Sequence, residues 1–231
     1  MEPEILLQTS FSFGATTVEV LQGNILEPSV DVDAVVTTDD NYLTMGSGVS
    51  RALADWAGPY YVRAAQTQCP APAGSVVVTK AYRLPKHGLK VRRVLHGAVI
   101  DYDTADLPLD QVVAQVTANC LQTAEQEGLK RILLPAFATG AGRLAMETCA
   151  QRMGAAIKAY LAQPRPLRRI YIILYLPDRN GDGSISAEIA TLQARNRCFI
   201  RELNATLGVP YDPAALACPS QDFFGRAAAL A

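Results

Sequence analysis

Segments patterned as β-strands alternate with segments patterned as α-helices along most of this 231-residue chain. Short apolar runs rich in β-branched residues predict strands at 16–24, 32–40, 74–84, 90–101, 131–137 and 168–178. Apolar residues at helical spacing predict helices at 48–58, 108–128, 144–161 and 184–207. Strands interleaved with helices predict an α/β fold whose mostly parallel sheet is covered on both faces.

The composition excludes several classes of protein. Apolar residues make up 49% of the chain, so a large core can form and general disorder is excluded. With 21 basic and 22 acidic side chains, the net charge is −1, which gives no global attraction to nucleic acid or to anionic membranes. No apolar run approaches the roughly 20 residues that span a bilayer. The acidic N-terminus does not have the pattern of a secretory signal.

The five cysteines are odd in number, far apart and never spaced as CxxC. This usage predicts free thiols in a reducing compartment, and therefore a cytoplasmic protein. With only two histidines, His87 and His96, neither a metal site nor a metal cofactor is expected. Because His96 falls in the interior of a predicted strand, we interpret it as a buried, hydrogen-bonded residue and not as a catalytic base.

Two predicted strand-to-helix connections are rich in small residues. The first loop, residues 41–49, contains Met45-Gly46-Ser47-Gly48-Val49, and the second loop, residues 136–143, contains Ala138-Thr139-Gly140-Ala141-Gly142. Small residues let backbone N–H groups approach a ligand, and a helix N-terminus favours an anion. Neither loop has the Gly-Lys-Ser/Thr of a P-loop or a complete dinucleotide fingerprint. The pair predicts a diphosphate held from both sides, and two tight turns without a ligand are the alternative.

These motifs resemble those of the macro domain family, which binds ADP-ribose, in the family's order over about residues 17–177. Gly23-Asn24-Ile25 corresponds to the family's Gly-Asp-Ile adenine motif, and 36–40 corresponds to its Val-Asn-Ala-Ala-Asn. Leu43 with 45–49 corresponds to Leu-x-Gly-Gly-Gly-Gly-Val, and 135–142 corresponds to the second phosphate loop. The resemblance implies a three-layer α/β/α fold with a central mixed sheet and an ADP-ribose cleft at its crest.

The resemblance also implies which residues contact the ligand. Asn24 stands where the family has the Asp that binds the adenine amino group, and Asp40 stands where it has the Asn that holds the distal ribose. Tyr175 is expected to stack on adenine, and Arg143 either pairs with a phosphate or caps the turn. The implied ligand-binding residues are Asn24, Ile25, Thr38, Asp40, Met45, Gly46, Ser47, Gly48, Val49, Ala138, Thr139, Gly140, Ala141, Gly142, Arg143 and Tyr175.

The catalytic residues of the family's hydrolases are replaced in this chain. The first Asn of the first motif is Thr37, the Asp that often follows Gly-Val is Ser50, and the second-loop Asp of another branch is Gly142. An ADP-ribosyl hydrolase would then depend on Asp39 and Asp40, since carboxylates can activate water and stabilise an oxocarbenium ion. The alternative interpretation of this pair is a solvated turn with one ribose contact.

Residues 178–186 read DxNxDGxIS, the first part of a calcium-binding loop. The bidentate acid should come at Ile189, which is apolar, and Glu188 is one position early. We favour an acidic turn leading into a helix cap at Ser184 or Ser186. A calcium-stabilised interaction domain remains the alternative.

The sequence therefore predicts an N-terminal extension (1–15), a macro-like domain with an added C-terminal helix (16–208) and a tail (209–231). The predicted function is binding of free or protein-linked ADP-ribose, or of a related NAD-derived nucleotide. The expected partner is ADP-ribose or an ADP-ribosylated macromolecule, with no cofactor. Neither a membrane nor nucleic acid is expected as a partner, except nucleic acid as an ADP-ribosylated substrate.

Overall fold

The computed structural model describes residues 9–104, 107–177 and 186–208. One seven-stranded sheet contains β1 (Ser10–Phe13), β2 (Thr16–Gly23), β3 (Ala34–Asp40), β4 (Val76–Lys80), β5 (Arg93–Ile100), β6 (Arg131–Pro135) and β7 (Arg169–Tyr175). The helices are α1 (Gly48–Ala57), α2 (Pro59–Gln66), α3 (Leu109–Gln126), α4 (Met146–Tyr160) and α5 (Ala187–Leu207), with a short 3-10 helix at Leu84–His87. None of the described helices is long and apolar enough to cross a membrane.

The strand order in the sheet is β1-β2-β7-β6-β3-β5-β4. The five central strands run parallel to one another, while β1 and β4 pair antiparallel with β2 and β5 at the two edges. Helices α1 and α2 pack on one face, and α3, α4 and α5 pack on the other. The α/β/α fold with a central mixed sheet is thereby confirmed.

Both faces of the central strands are apolar because both are covered by helices. Along β3, Val35 lies in the core against α1 and α2, while Ala34 and Val36 lie in the core against α3, α4 and α5. In β6, Leu133 contributes to the first of these cores and Ile132 to the second. These continuous apolar runs produced the strand predictions, and they leave polar residues mainly at the strand ends.

Gly58-Pro59, at the end of the helix predicted at 48–58, ends that helix and also starts the next one. Gly58 has φ of 86° and ends α1 by donating its N–H to the carbonyl of Ala54. Pro59 then opens α2, since a proline is tolerated in the first helical turn where its missing N–H needs no partner. The strand predicted at 74–84 is shorter than expected and ends at Lys80, before the 3-10 helix.

The long helix α5 begins after Ser186, whose side chain accepts a hydrogen bond from the Ile189 N–H at 3.2 Å. One of the two predicted cap residues is therefore confirmed. The helix packs closely on α4, where a side chain at Gly154 would lie 2.9 Å from Thr206 and 3.0 Å from Leu203. Residue 154 must therefore stay small for α5 to pack this closely on α4.

The cysteines are not all free. Cys69, Cys120 and Cys149 are free thiols, and burial raises the thiol pKa of all three. Cys198 is disulfide-bonded, so the prediction of free thiols is wrong at this position. Sequence spacing alone gave no sign of this bond.

Candidate functional site

The two loops open from neighbouring strands that send the chain to opposite faces of the sheet. Strand β3 leads to α1 on one face, and β6 leads to α4 on the other. The two strands pair in parallel only near their starts, at Ala34–Ile132 and Val35–Leu133. Beyond these pairs a crevice can open at the carboxyl ends, which is where open α/β sheets bind ligands.

The helices that border this crevice offer their N-termini to a ligand. The N-cap residues Ser47 of α1 and Ala145 of α4 make no side-chain cap hydrogen bond. The first-turn N–H groups are therefore not occupied by their own caps, and they carry the positive end of each helix dipole. Two such ends, each preceded by a loop at the carboxyl end of a neighbouring strand, suit an anionic ligand.

Asp39 holds the first loop in place. Its carboxylate accepts hydrogen bonds from the N–H of Met45 at 2.7 Å and of Asp40 at 2.9 Å. Burial raises the pKa of Asp39 to about 6, and the neighbouring Asp40 charge adds to this, while the backbone hydrogen bonds oppose it. Asp39 is only 8% exposed, so this carboxylate is part of the loop's internal structure and not of a solvated turn.

Asp40 acts on the same loop from the end of β3. Its carboxylate accepts from the N–H groups of Tyr42 at 2.8 Å and Thr44 at 3.3 Å, and also from the Thr44 hydroxyl. The register against β5 shifts between Asp39 and Asp40, because Asp39 pairs with Ala98 and Asp40 with Ile100. This irregularity lets two consecutive carboxylates accept hydrogen bonds from the same loop.

The first loop needs these carboxylates because its backbone is strained. Leu43 and Met45 have φ of 50° and 54°, in the left-handed region that costs non-glycine residues about 1 kcal/mol or more each. Acceptors placed opposite the loop's N–H groups offset that cost. The loop is thus held in one conformation before any ligand arrives.

The second loop is stabilised by its own backbone. The N–H of Leu144 donates to the Ala138 carbonyl at 3.0 Å, and the N–H of Arg143 donates to the Gly140 carbonyl at 2.9 Å. Ala138 and Arg143 have φ of 59° and 53°. A side chain at Gly142 would lie 2.7 Å from the Ala138 carbonyl oxygen, so only glycine fits there.

The predicted residues at the other end of the site lie on β2 and β7, which are parallel neighbours. Gly23 and Tyr175 are register partners at the ends of these strands. Asn24 is exposed, and its side-chain oxygen accepts from the Leu26 N–H at 3.0 Å. Tyr175 is 61% exposed, and Ile25 is buried.

All the predicted ligand-binding residues therefore lie at or just beyond the carboxyl ends of the parallel strands. Across the strand order, they follow the ends of β2 and β7, then the second loop after β6, then the first loop after β3. Thr38 is half-buried on β3, and Gly46, Ser47 and Gly48 are exposed, with Val49 half-buried. In the second loop Gly140, Ala141 and Arg143 are exposed, and Thr139 and Gly142 are half-buried.

A family model described as Macro domain matches residues 36–153, which is just over half of the 231 residues. The chain belongs to the macro domain family. An uncharacterized protein of Pyrobaculum aerophilum is 32% identical over 169 residues, which cover 71% of this chain and 87% of that protein. A macro domain-containing protein of Methanosarcina mazei is 26% identical over 161 residues, which cover 70% of this chain and 82% of that protein.

Solved macrodomain structures have the same fold. A mutant of the Oceanobacillus iheyensis macrodomain with ADPR superposes with a TM-score of 0.63 at 18% identity, covering 83% of this chain and 97% of that one. The Trypanosoma brucei macrodomain in complex with ADP-ribose gives 0.60 at 18% identity, covering 79% of this chain and 67% of that one. At such low identity, the likeness establishes the fold.

In this macro domain Thr37 lies below the crevice, in the core between the sheet and α2. Thr37 pairs in register with His96, and the His96 and Tyr61 rings lie 5.1 Å apart. His96 is buried as predicted and its Nε2 lies 2.9 Å from the Thr79 hydroxyl, but its Nδ1 has no hydrogen-bond partner within the described residues. Burial lowers the pKa of His96 to about 3, so its ring is neutral near pH 7.

Thr37→Val is expected to leave ADP-ribose affinity within about twofold of wild type. Thr37 is fully buried, and its hydroxyl has no hydrogen-bond partner in the described part of the chain. Valine keeps the shape and removes the buried hydroxyl, so the free energy of unfolding should be unchanged or up to about 1 kcal/mol higher. Urea denaturation and calorimetry measure the two effects, and a clear loss of affinity would place Thr37 in the binding site.

Two residues that sequence reasoning missed come from α5. Arg195 donates from Nη2 to the Thr139 carbonyl at 3.2 Å. The buried Asn196 donates from Nδ2 to the Tyr175 carbonyl at 3.2 Å and to Gln22 Oε1 at 3.4 Å. Helix α5 thus contacts three separate segments at the carboxyl ends of the strands.

The segment 178–186, interpreted as an acidic turn with a calcium-binding loop as the alternative, lies outside the described residues except for Ser186. Ile189, at the position where a bidentate acid would be needed, is buried. Among the described residues no group of three or more His, Cys, Asp or Glu side chains is arranged to hold a metal ion.

Proposed function

We propose that this macro domain binds ADP-ribose, free or attached to a macromolecule, in the crevice between the first and second loops. The observation that carries the proposal is that two small-residue loops, each leading to a helix N-terminus without a side-chain cap, follow the carboxyl ends of the neighbouring strands β3 and β6. A diphosphate is the anion that such a two-sided set of N–H groups suits. Macrodomains of the same fold with bound ADP-ribose support this choice of ligand.

We expect the rest of the nucleotide to extend along the carboxyl ends of the neighbouring strands. The ends of β2 and β7 lie on one side of the second loop, and the end of β3 lies on the other. The exposed Tyr175 ring is available for stacking on a base at the first position. The distal ribose would then lie towards Asp40 and Thr38.

Titration with ADP-ribose in a calorimeter tests the proposal, with AMP and NAD as comparison ligands. Dissociation constants in the micromolar range, about −8 kcal/mol, are expected for ADP-ribose, with much weaker binding of AMP. The difference arises because AMP offers one phosphate to a site built from two loops. Absence of heat with ADP-ribose at protein concentrations near 100 times that constant, about 100 µM, would contradict the proposal.

We propose binding, in preference to hydrolysis, as the primary function because Asp39 and Asp40 already hold the first loop by hydrogen bonds. All four carboxylate oxygens already accept hydrogen bonds from the first loop or its flanks. A general base needs an oxygen within reach of a water beside the anomeric carbon. Because both side chains are buried, the hydrolase alternative requires the first loop to move so that such a water can reach one of these oxygens.

Asp40→Ala is expected to weaken ADP-ribose binding by at least about tenfold. The variant loses the acceptor for the Tyr42 and Thr44 N–H groups, and hydrogen bonds to a charged group are each worth about 1.5–3 kcal/mol. Asp55→Ala is the matched control, because Asp55 forms an exposed ion pair with Arg51 within α1. Unchanged affinity, together with lost turnover of an ADP-ribosylated substrate, would favour the hydrolase alternative.

A further inference from the structure

We infer that Arg195, on α5, is a positioning residue of the diphosphate site that turns the peptide between Thr139 and Gly140 towards the crevice. The inference rests on the proposed function and adds a residue 56 positions away from the loop that it controls. Its starting point is the hydrogen bond from Arg195 Nη2 to the Thr139 carbonyl oxygen at 3.2 Å.

The direction from which Arg195 approaches follows from its neighbour in sequence. Asn196 donates to the carbonyl of Tyr175, the last residue of β7, and to the side chain of Gln22 on β2. Arg195 therefore reaches the second loop from the β7 side. The first loop lies on the opposite side of β6, after β3.

Peptide geometry converts this contact into an orientation. In a planar trans peptide, the carbonyl of one residue and the N–H of the next point in opposite directions. Because Arg195 holds the Thr139 carbonyl towards β7, the N–H of Gly140 is turned towards β3 and the first loop. That is the side on which the proposed diphosphate lies.

Within the described residues, the Thr139 carbonyl accepts from Arg195 alone and the Gly140 N–H makes no hydrogen bond. A side chain built at Gly140 would meet no atom within 4 Å, so the loop is open at this residue. The backbone hydrogen bonds of the loop use the N–H groups of Arg143 and Leu144 and the carbonyls of Gly140 and Ala138. The Thr139 hydroxyl donates to the Ala136 carbonyl at 3.0 Å and leaves its own carbonyl to Arg195.

The charge of Arg195 acts in the same direction as its hydrogen bond. The side chain is half-buried, and desolvation lowers the pKa of the guanidinium, while the nearby Glu147 carboxylate opposes this. An arginine keeps its charge under such conditions, because its pKa starts above 12. A cation bound to a loop carbonyl also makes the adjacent N–H a better donor to an anion.

The test compares wild type with Arg195→Ala, Arg195→Lys and Arg197→Ala. Arg197 is the matched control, since it lies on the same helix about 200° away around the axis. We expect Arg195→Ala to weaken ADP-ribose binding about tenfold while adenosine, which has no phosphate, binds within twofold of wild type. Arg195→Lys should recover part of the loss, and Arg197→Ala should match wild type.

Two outcomes of these titrations would overturn the inference. Unchanged ADP-ribose affinity in Arg195→Ala would mean that the hydrogen bond has no effect on the diphosphate site. An equal loss for adenosine and ADP-ribose would mean that Arg195 only supports the packing of α5. Thermal unfolding of each variant shows whether the fold is retained.

A measurement without ligand separates this inference from the proposed function. In ¹⁵N-labelled protein, the Gly140 amide resonance should move in Arg195→Ala and stay in place in Arg197→Ala. If wild type does not bind ADP-ribose, the proposed function fails, and the Gly140 resonance still decides whether Arg195 orients the peptide. An unmoved Gly140 resonance in Arg195→Ala overturns the inference in either case.

Discussion

Gly142→Ala is expected to lower ADP-ribose affinity by at least about tenfold and to destabilise the fold by about 1–3 kcal/mol. The new methyl carbon would lie 2.7 Å from the Ala138 carbonyl oxygen and 3.0 Å from the Ala138 side chain. The same carbonyl accepts the Leu144 N–H, so relieving the clash must move the backbone of the second loop. Calorimetry with ADP-ribose and urea denaturation measure the two effects.

Gly140→Ala is the control for this prediction, because a side chain at Gly140 meets nothing within 4 Å. Its free energy of unfolding should stay within about 0.5 kcal/mol of wild type, as for most surface substitutions. Equal stability of the two variants would show that the second loop can adjust without cost. The close packing at Gly142 would then not be a determinant of the loop conformation.

The second large effect is the dependence of stability on the ionisation of Asp39. Burial raises the pKa of this carboxyl from 3.8 to about 6. A group with a raised pKa in the folded state contributes most below its unfolded value, near pH 4, and this contribution is lost as pH rises through about 6. A shift of about two pKa units corresponds to up to about 3 kcal/mol.

We therefore expect the difference in unfolding free energy, wild type minus Asp39→Ala, to decrease between pH 4 and pH 7. Urea denaturation at pH 4.5, 6.0 and 7.5 measures this difference. The control is Asp55→Ala, whose exposed carboxylate pairs with Arg51 and should give a difference that changes little with pH. If the difference for Asp39→Ala grew with pH, the hydrogen bonds from the Met45 and Asp40 N–H groups would lower the Asp39 pKa by more than desolvation raises it.

The layers of the fold were predictable because both faces of the central strands are apolar. Helix α2 was missed because Gly58-Pro59 is a common end of a helix, and the same pair also suits the beginning of one. Strand β1 was missed because it is four residues long, at the edge of the sheet, and has only β2 as a partner. Such a strand is defined by its pairing more than by its own sequence.

The candidate site could be predicted only as far as local sequence patterns reach. A strand followed by small residues and a helix indicated both loops before their geometry was known. The contact of Arg195 with Thr139 joins residues 56 positions apart, and no local periodicity encodes it. The sequence placed the acidic pair at the end of β3, but the hydrogen bonds that it accepts from Met45, Tyr42 and Thr44 depend on how the first loop turns back.

The shift in register where β3 meets β5 has a consequence for protein engineering. In a regular strand, neighbouring side chains point to opposite faces, so Asp39 and Asp40 could not both support one connection. The shift from Ala98 to Ile100 on β5 breaks that alternation at the point where the first loop leaves the sheet. Grafting this loop onto another parallel sheet would therefore require moving both carboxylates together with the irregular segment of β5.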